Sequence, residues 1–185
     1  MASTTVGGAI NNCVHIAEHS SQVRLFVCNN DETIKIFNLP SMDHVATVRL
    51  TTAVNNVSVS PDGTKMVAVG DTNQAHLFSI SSNGAYSQTA TFTTSRDAGF
   101  SCAWDQTSSK FAVGCQDGFV CVWDVRGDLG RKLVQIPSRQ VNGRGAVRSV
   151  KFSHSGSIDL MAFTEVDFAR RKQVDLIMLH STHHT

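Results

Sequence analysis

GCQDGFVCVWDVRG, from Gly114 to Gly127, places two cysteines, two aspartates, a tryptophan and an arginine within one short stretch. It reads either as a chemical site, with thiols for a metal and a carboxylate for proton transfer, or as a hairpin. Gln116-Asp117-Gly118 has the residue types of a tight turn, and Phe119 to Val125 alternates as a strand does. By that alternation Cys115 points with Phe111 and Val113, and Cys121 with Phe119 and Trp123. Both thiols therefore read as packing residues. No C-x₂-C pair occurs in the chain, so no zinc-ligand spacing supports a metal.

Outward from this hairpin the same pattern recurs. Short alternating runs at Asn12 to Ala17, Gln22 to Cys28, Thr33 to Leu39 and His44 to Leu50 read as four strands, and helical periodicity is almost absent. Four more follow at 55–60, 65–70, 74–80 and 87–92, and another four at 100–105, 110–115, 119–125 and 132–137. A last set, at 147–153, 157–164 and 173–179, lacks a fourth member. Phe37, Phe78 and Trp123 hold the same place in the third strand, at spacings within the roughly 40–45 residues of a propeller-blade repeat. Val59 precedes Phe78 by the interval that separates Trp104 from Trp123. Ser60-Pro61-Asp62-Gly63 and Ser153-His154-Ser155-Gly156 supply turns between first and second strands.

With these residues in place the chain resembles the WD40-repeat β-propeller family. The carriers are Trp123-Asp124 at the end of a third strand and Asp117 six residues before Trp123. Asp31 stands at the same offset before Phe37, and Asp71 is one residue off register before Phe78. The resemblance implies that this aspartate ties its hairpin turn to the strand backbone. It covers about residues 11–179, but no unit carries the family's Gly-His dipeptide and Trp-Asp occurs once. Phe37-Asn38, Phe78-Ser79 and Met178-Leu179 stand in its place elsewhere. The Ala162-Phe163-Thr164-Glu165 stretch adds a looser likeness to uncharacterised fungal WD-repeat proteins.

The expectation is an all-β fold of degenerate blades at 11–50, 53–92, 98–137 and 146–179. An N-terminal segment, 1–10, precedes them and a disordered His-rich tail, 180–185, follows. Propellers close with about four to eight blades, which removes sheet edges. Three complete units and one incomplete one are therefore expected to be part of a seven-bladed propeller. The alternatives are a four-bladed ring closed by residues 1–10 and an arc completed by a partner.

Composition narrows the function. A net charge of +1 gives no global field for nucleic acid or an anionic membrane. Residues 1–120 carry six Lys or Arg against nine acids, and 121–185 carry ten against six. The N-terminus lacks the basic and apolar regions of a secretory signal, and no run approaches the roughly 20 apolar residues of a membrane span. With five cysteines, an odd number, the expected home is intracellular, cytoplasmic or nuclear. No G-x-S-x-G, P-loop or H-E-x-x-H is present, and Asn142-Gly143-Arg144-Gly145 lacks the strand–helix setting of a phosphate loop. An enzyme is not expected, and no cofactor or metal is; His180, His183 and His184 form a terminal cluster without supporting residues.

The function expected is a scaffold that binds other proteins through the face where blade-linking loops and second-to-third-strand turns gather. Its candidate contacts are Arg96, Asp97, Arg139 and Arg144, since arginine is enriched at binding hot spots. A second reading comes from Trp123-Asp124-Val125-Arg126. It resembles the W-D-x-R box of substrate receptors of cullin–RING ubiquitin ligases, and Arg126 would meet the ligase adaptor. A third, nucleic-acid binding, would rest on Arg139, Arg144, Arg148 and Lys151 or on Arg170-Arg171-Lys172, with few aromatics among them.

Overall fold

The computed structural model describes residues 10–127, 130–138, 145–154, 159–166 and 172–179. Arg139, Arg144, Arg170, Arg171 and the tail at 180–185 lie outside the described residues, as does most of the 1–10 segment.

Among the described residues fifteen strands form four antiparallel meanders, each paired in chain order. The first sheet holds β1 (Asn11–His19), β2 (Gln22–Asn29), β3 (Thr33–Asn38) and β4 (His44–Arg49). The second holds β5 (Val54–Val59), β6 (Lys65–Gly70), β7 (Gln74–Ile80) and β8 (Tyr86–Thr93). The third holds β9 (Gly99–Trp104), β10 (Lys110–Cys115), β11 (Phe119–Asp124) and β12 (Arg131–Pro137). The fourth has three described strands, β13 (Ala146–Phe152), β14 (Asp159–Val166) and β15 (Lys172–Leu179).

First strands of successive sheets lie against one another, β1 on β5, β5 on β9 and β9 on β13, so the sheets stand as successive blades about an inner side. Burial follows from that placement. Middle strands such as β6, β10 and β11 are covered on both faces, whereas the outer strands β4 and β12 are largely exposed.

Each interface between neighbouring blades has its own core. Phe26, Ile34 and Ile36 meet Val57, Met66 and Phe78 between the first two. Val67, Leu77 and Phe92 meet Trp104, Phe111 and Trp123 between the next two. Ala112, Val120 and Val122 meet Val147, Met161 and Phe163 in the last. Phe111 stacks on Trp123 at 5.0 Å between ring centroids, and Trp104 sends its indole N–H to the Ser58 carbonyl of the preceding blade at 3.0 Å. Buried aromatics of this size dominate core energetics, and their polar ends require partners.

A second repeat, unseen in the residue pattern, lies in the bulges. Beside the outer strand the register shifts at Ile36/Phe37, Leu77/Phe78 and Val122/Trp123, the same place in three blades. On the innermost strands the pairing skips Asn12, Asn55, Phe100 and Arg148 in turn. Bulges recur where a strand must bend and re-aim a side chain. Asn12 uses its freed amide to reach Asn30 of its own turn and the Val54 carbonyl of the next blade. Asn55 likewise reaches Asp71 and the Gly99 carbonyl. Arg148, the skipped residue of the fourth blade, stacks on Phe100, that of the third.

Candidate functional site

The loop face is built from the segment after β8 and the turn between β10 and β11. Gly118 turns the hairpin with φ +78°, a conformation open to glycine. Asp117 then faces sideways. Its carboxylate accepts from the Ser95 hydroxyl at 2.9 Å and from the Arg96 amide at 3.1 Å, which fixes the linking loop to the turn. The Gln116 amide reaches the Ala98 carbonyl and the Ser138 amide reaches Gly118, so three consecutive connections brace one another. A hollow of about 520 Å³ results, lined by Arg96, Asp97, Asp117, Phe119 and Gln135. Arg96 is exposed and Asp97 half-buried, with Asp97 accepting from the Ala98 amide.

The other repeat aspartates are placed differently. Asp31 accepts from the Thr33 amide and hydroxyl and from the Lys35 ammonium, and the Thr33 hydroxyl, aided by Lys35, holds its carboxyl below the usual range. Asp71 accepts from Asn55. Phe37, Phe78 and Trp123 are all buried, Phe78 and Trp123 in the cores between blades and Phe37 against His44 of its own blade.

Asp124, the last residue of β11, and Arg126, just after it, stand at the opposite end of the strands. The Arg126 guanidinium folds back on the Asp124 carboxylate through Nε and Nη2, which depresses the acid. The structure therefore brings Arg96 and Asp97 together and sets Arg126 on another face.

The cysteines are free thiols, all buried except half-buried Cys13. Cys115 and Cys121 lie in the core between the second and third blades, where the Cys121 thiol donates to the Thr94 carbonyl at 3.2 Å. Cys13 sits opposite Cys28 across β1 and β2 and accepts from the Asn56 amide. The bond from Cys28, opposed by burial, lowers its thiol to about 7. Among the described residues no three His, Cys, Asp or Glu side chains converge as metal ligands, and no helix is long and apolar enough to cross a membrane.

Several buried polar residues that hold blades or turns in place escaped the sequence reading. The His19 ring lies between the Gly63 and Ser81 carbonyls at 2.8 and 3.1 Å, tying the first blade to two turns of the second. Asp105, 1% exposed, caps its turn by accepting from the Ser109 and Lys110 amides. Arg24 is buried although charged. A signal for Arg24 was present, because it shares strand parity with Phe26 and Cys28 and so belongs to the packed face.

The family described as WD domain, G-beta repeat matches residues 86–124. The match runs from β8 through β11, so the sequence repeat is offset by one strand from the structural blade. An uncharacterised protein of Schizosaccharomyces pombe is 29% identical over 175 residues, covering 89% of this chain and 50% of the relative. An uncharacterised protein of Saccharomyces cerevisiae is 28% identical over 202 residues, covering 89% of this chain and 27% of the relative. The chain thus spans about half of the first relative's length and about a quarter of the second's. It carries a WD40 repeat within an all-β fold of WD40-type β-propeller blades.

Proposed function

We infer that the chain is a non-catalytic protein-interaction module that meets its partner on the loop face, around Arg96 and Asp97. WD40 repeats support a scaffold role in general, and a fold alone names no ligand. The observation that carries the reading is the braced hollow. Asp117 spends its carboxylate on holding the linking loop, which leaves Arg96 exposed at the rim of a concave surface. A pre-organised loop loses little entropy on binding. The ligase-receptor reading depends on Arg126, which is committed to Asp124, and no contact favours it over the loop face.

Site-specific photo-crosslinking tests the proposal. A benzophenone amino acid replaces Arg96 in one protein and Asp43, in the turn between β3 and β4 at the opposite end of the strands, in another. The expected result is one partner crosslinked from position 96, absent from position 43, and lost from the Arg96 site when Asp97→Lys is added. Equal crosslinking from both positions overturns the assignment.

A further inference from the structure

Between the outer edges of the first and second blades runs a groove of about 530 Å³. One wall is β4, from Val45 through Arg49; the other includes Gly84, Tyr86 and Gln88. Among the described residues no carboxylate lines it. At its Gly84–Tyr86 end lies the side chain of Arg24, only 8% exposed. Its Nη1 donates to the Tyr86 hydroxyl at 2.9 Å, and Gly84 packs so closely that an added Cβ would stand 2.7 Å from Nη2. Nε has no hydrogen-bond partner, and no ion pair is made by Arg24 among the described residues. The cross-strand neighbour Asn38 offers an amide oxygen, itself unpaired, but a neutral oxygen does not neutralise a guanidinium.

A buried arginine stays charged, and burying a charge without a counter-charge is strongly unfavourable. An oxyanion is the partner for which the planar fork of donors is shaped. The groove comes up to the guanidinium at Gly84 and Tyr86, which line it and contact Arg24. Exposed Arg49 adds a second cation at the far end of β4. As the outermost strand of its sheet, β4 also presents an edge that no strand among the described residues covers.

We propose that this groove binds an extended acidic segment of a partner protein along β4, with one oxyanion-bearing side chain seated on Arg24 and Tyr86 and a second near Arg49. The site is separate from the loop face and does not rest on that assignment.

Fluorescence anisotropy on the purified protein at low salt tests it with three labelled peptides of one extended Thr/Val framework. These carry two glutamates, two phosphoserines or two lysines. The glutamate or phosphoserine peptide binds and the lysine peptide does not, and the tighter of the first two identifies the oxyanion. Arg24→Gln weakens binding about tenfold or more, while Tyr86→Phe and Arg49→Glu weaken it and leave cooperative thermal unfolding intact. Arg96→Glu leaves it unchanged, which separates this site from the loop face. If Arg24→Gln does not fold, Tyr86→Phe and Arg49→Glu decide. Binding of no peptide, equal binding of the lysine peptide, or wild-type affinity in both of those variants overturns the proposal.

Discussion

Two ionisable side chains, Arg24 and His15, sit on the packed face of the first blade, and the protein treats them differently. Arg24 is buried with no acidic partner among the described residues. His15 is held neutral: burial, helped by the nearby Lys151 ammonium, pulls its imidazole down to about 4. Its Nε2 accepts from the Val59 amide of the second blade at 3.3 Å, a bond that protonation destroys. The pH dependence follows. Because the folded imidazole is less basic than the unfolded one, its contribution is complete above about pH 6.5 and is lost as pH falls toward 4. The loss should reach on the order of 2 kcal/mol near pH 4.5. Urea titrations of wild type and His15→Gln across this window should give curves that converge as pH falls. Parallel curves would sink the idea. Below about pH 4 other groups take over, since Asp31 and Asp124 are held low by Thr33 and Arg126 and stabilise the fold only while ionised.

At the scale of the element, the β10–β11 hairpin shows what was legible in the residues and what was not. Its turn, its strands and the burial of Cys115, Cys121 and Trp123 follow from alternation and turn chemistry, which are local. The bulge at Val122/Trp123 was not legible, because a bulge belongs to a pair of strands rather than to either one. Close approaches are hidden for the same reason. A Cβ at Gly70 would lie 2.0 Å from the Ala53 carbonyl oxygen, so the end of β6 is closed to any side chain. Equilibrium unfolding in urea checks both points. Trp123→Ala, which empties the stack on Phe111, should cost about 3–5 kcal/mol, and Gly70→Ala about 1–3 kcal/mol through overpacking. A Gly70→Ala protein as stable as wild type would show that the approach relaxes freely.

Over the whole molecule, the faces between blades carry the stability and the outward face of β1 does not. Val14 and Ile16 are 65% and 61% exposed, while Cys13 and Ala17 on the other face pack toward the second blade. In the 185-residue chain, Val14→Thr with Ile16→Thr should change unfolding free energy by less than about 0.5 kcal/mol. Ile34→Ala, at a fully buried site, should cost about 2–5 kcal/mol. Thermal and urea unfolding of the two variants side by side measure the contrast. The loop-face candidates divide on the same principle. Arg96 and Asp97 were readable as loop residues, but their union with Asp117 in one hollow needed the blade neighbour in place. Period-two alternation and turn residues act within a few residues, so the amino-acid sequence alone determined the strands, their order and the repeat. Which charge is trapped without a partner, where the bulges fall and which loops brace one another depend on the sheet face opposite, and only the tertiary structure decided those.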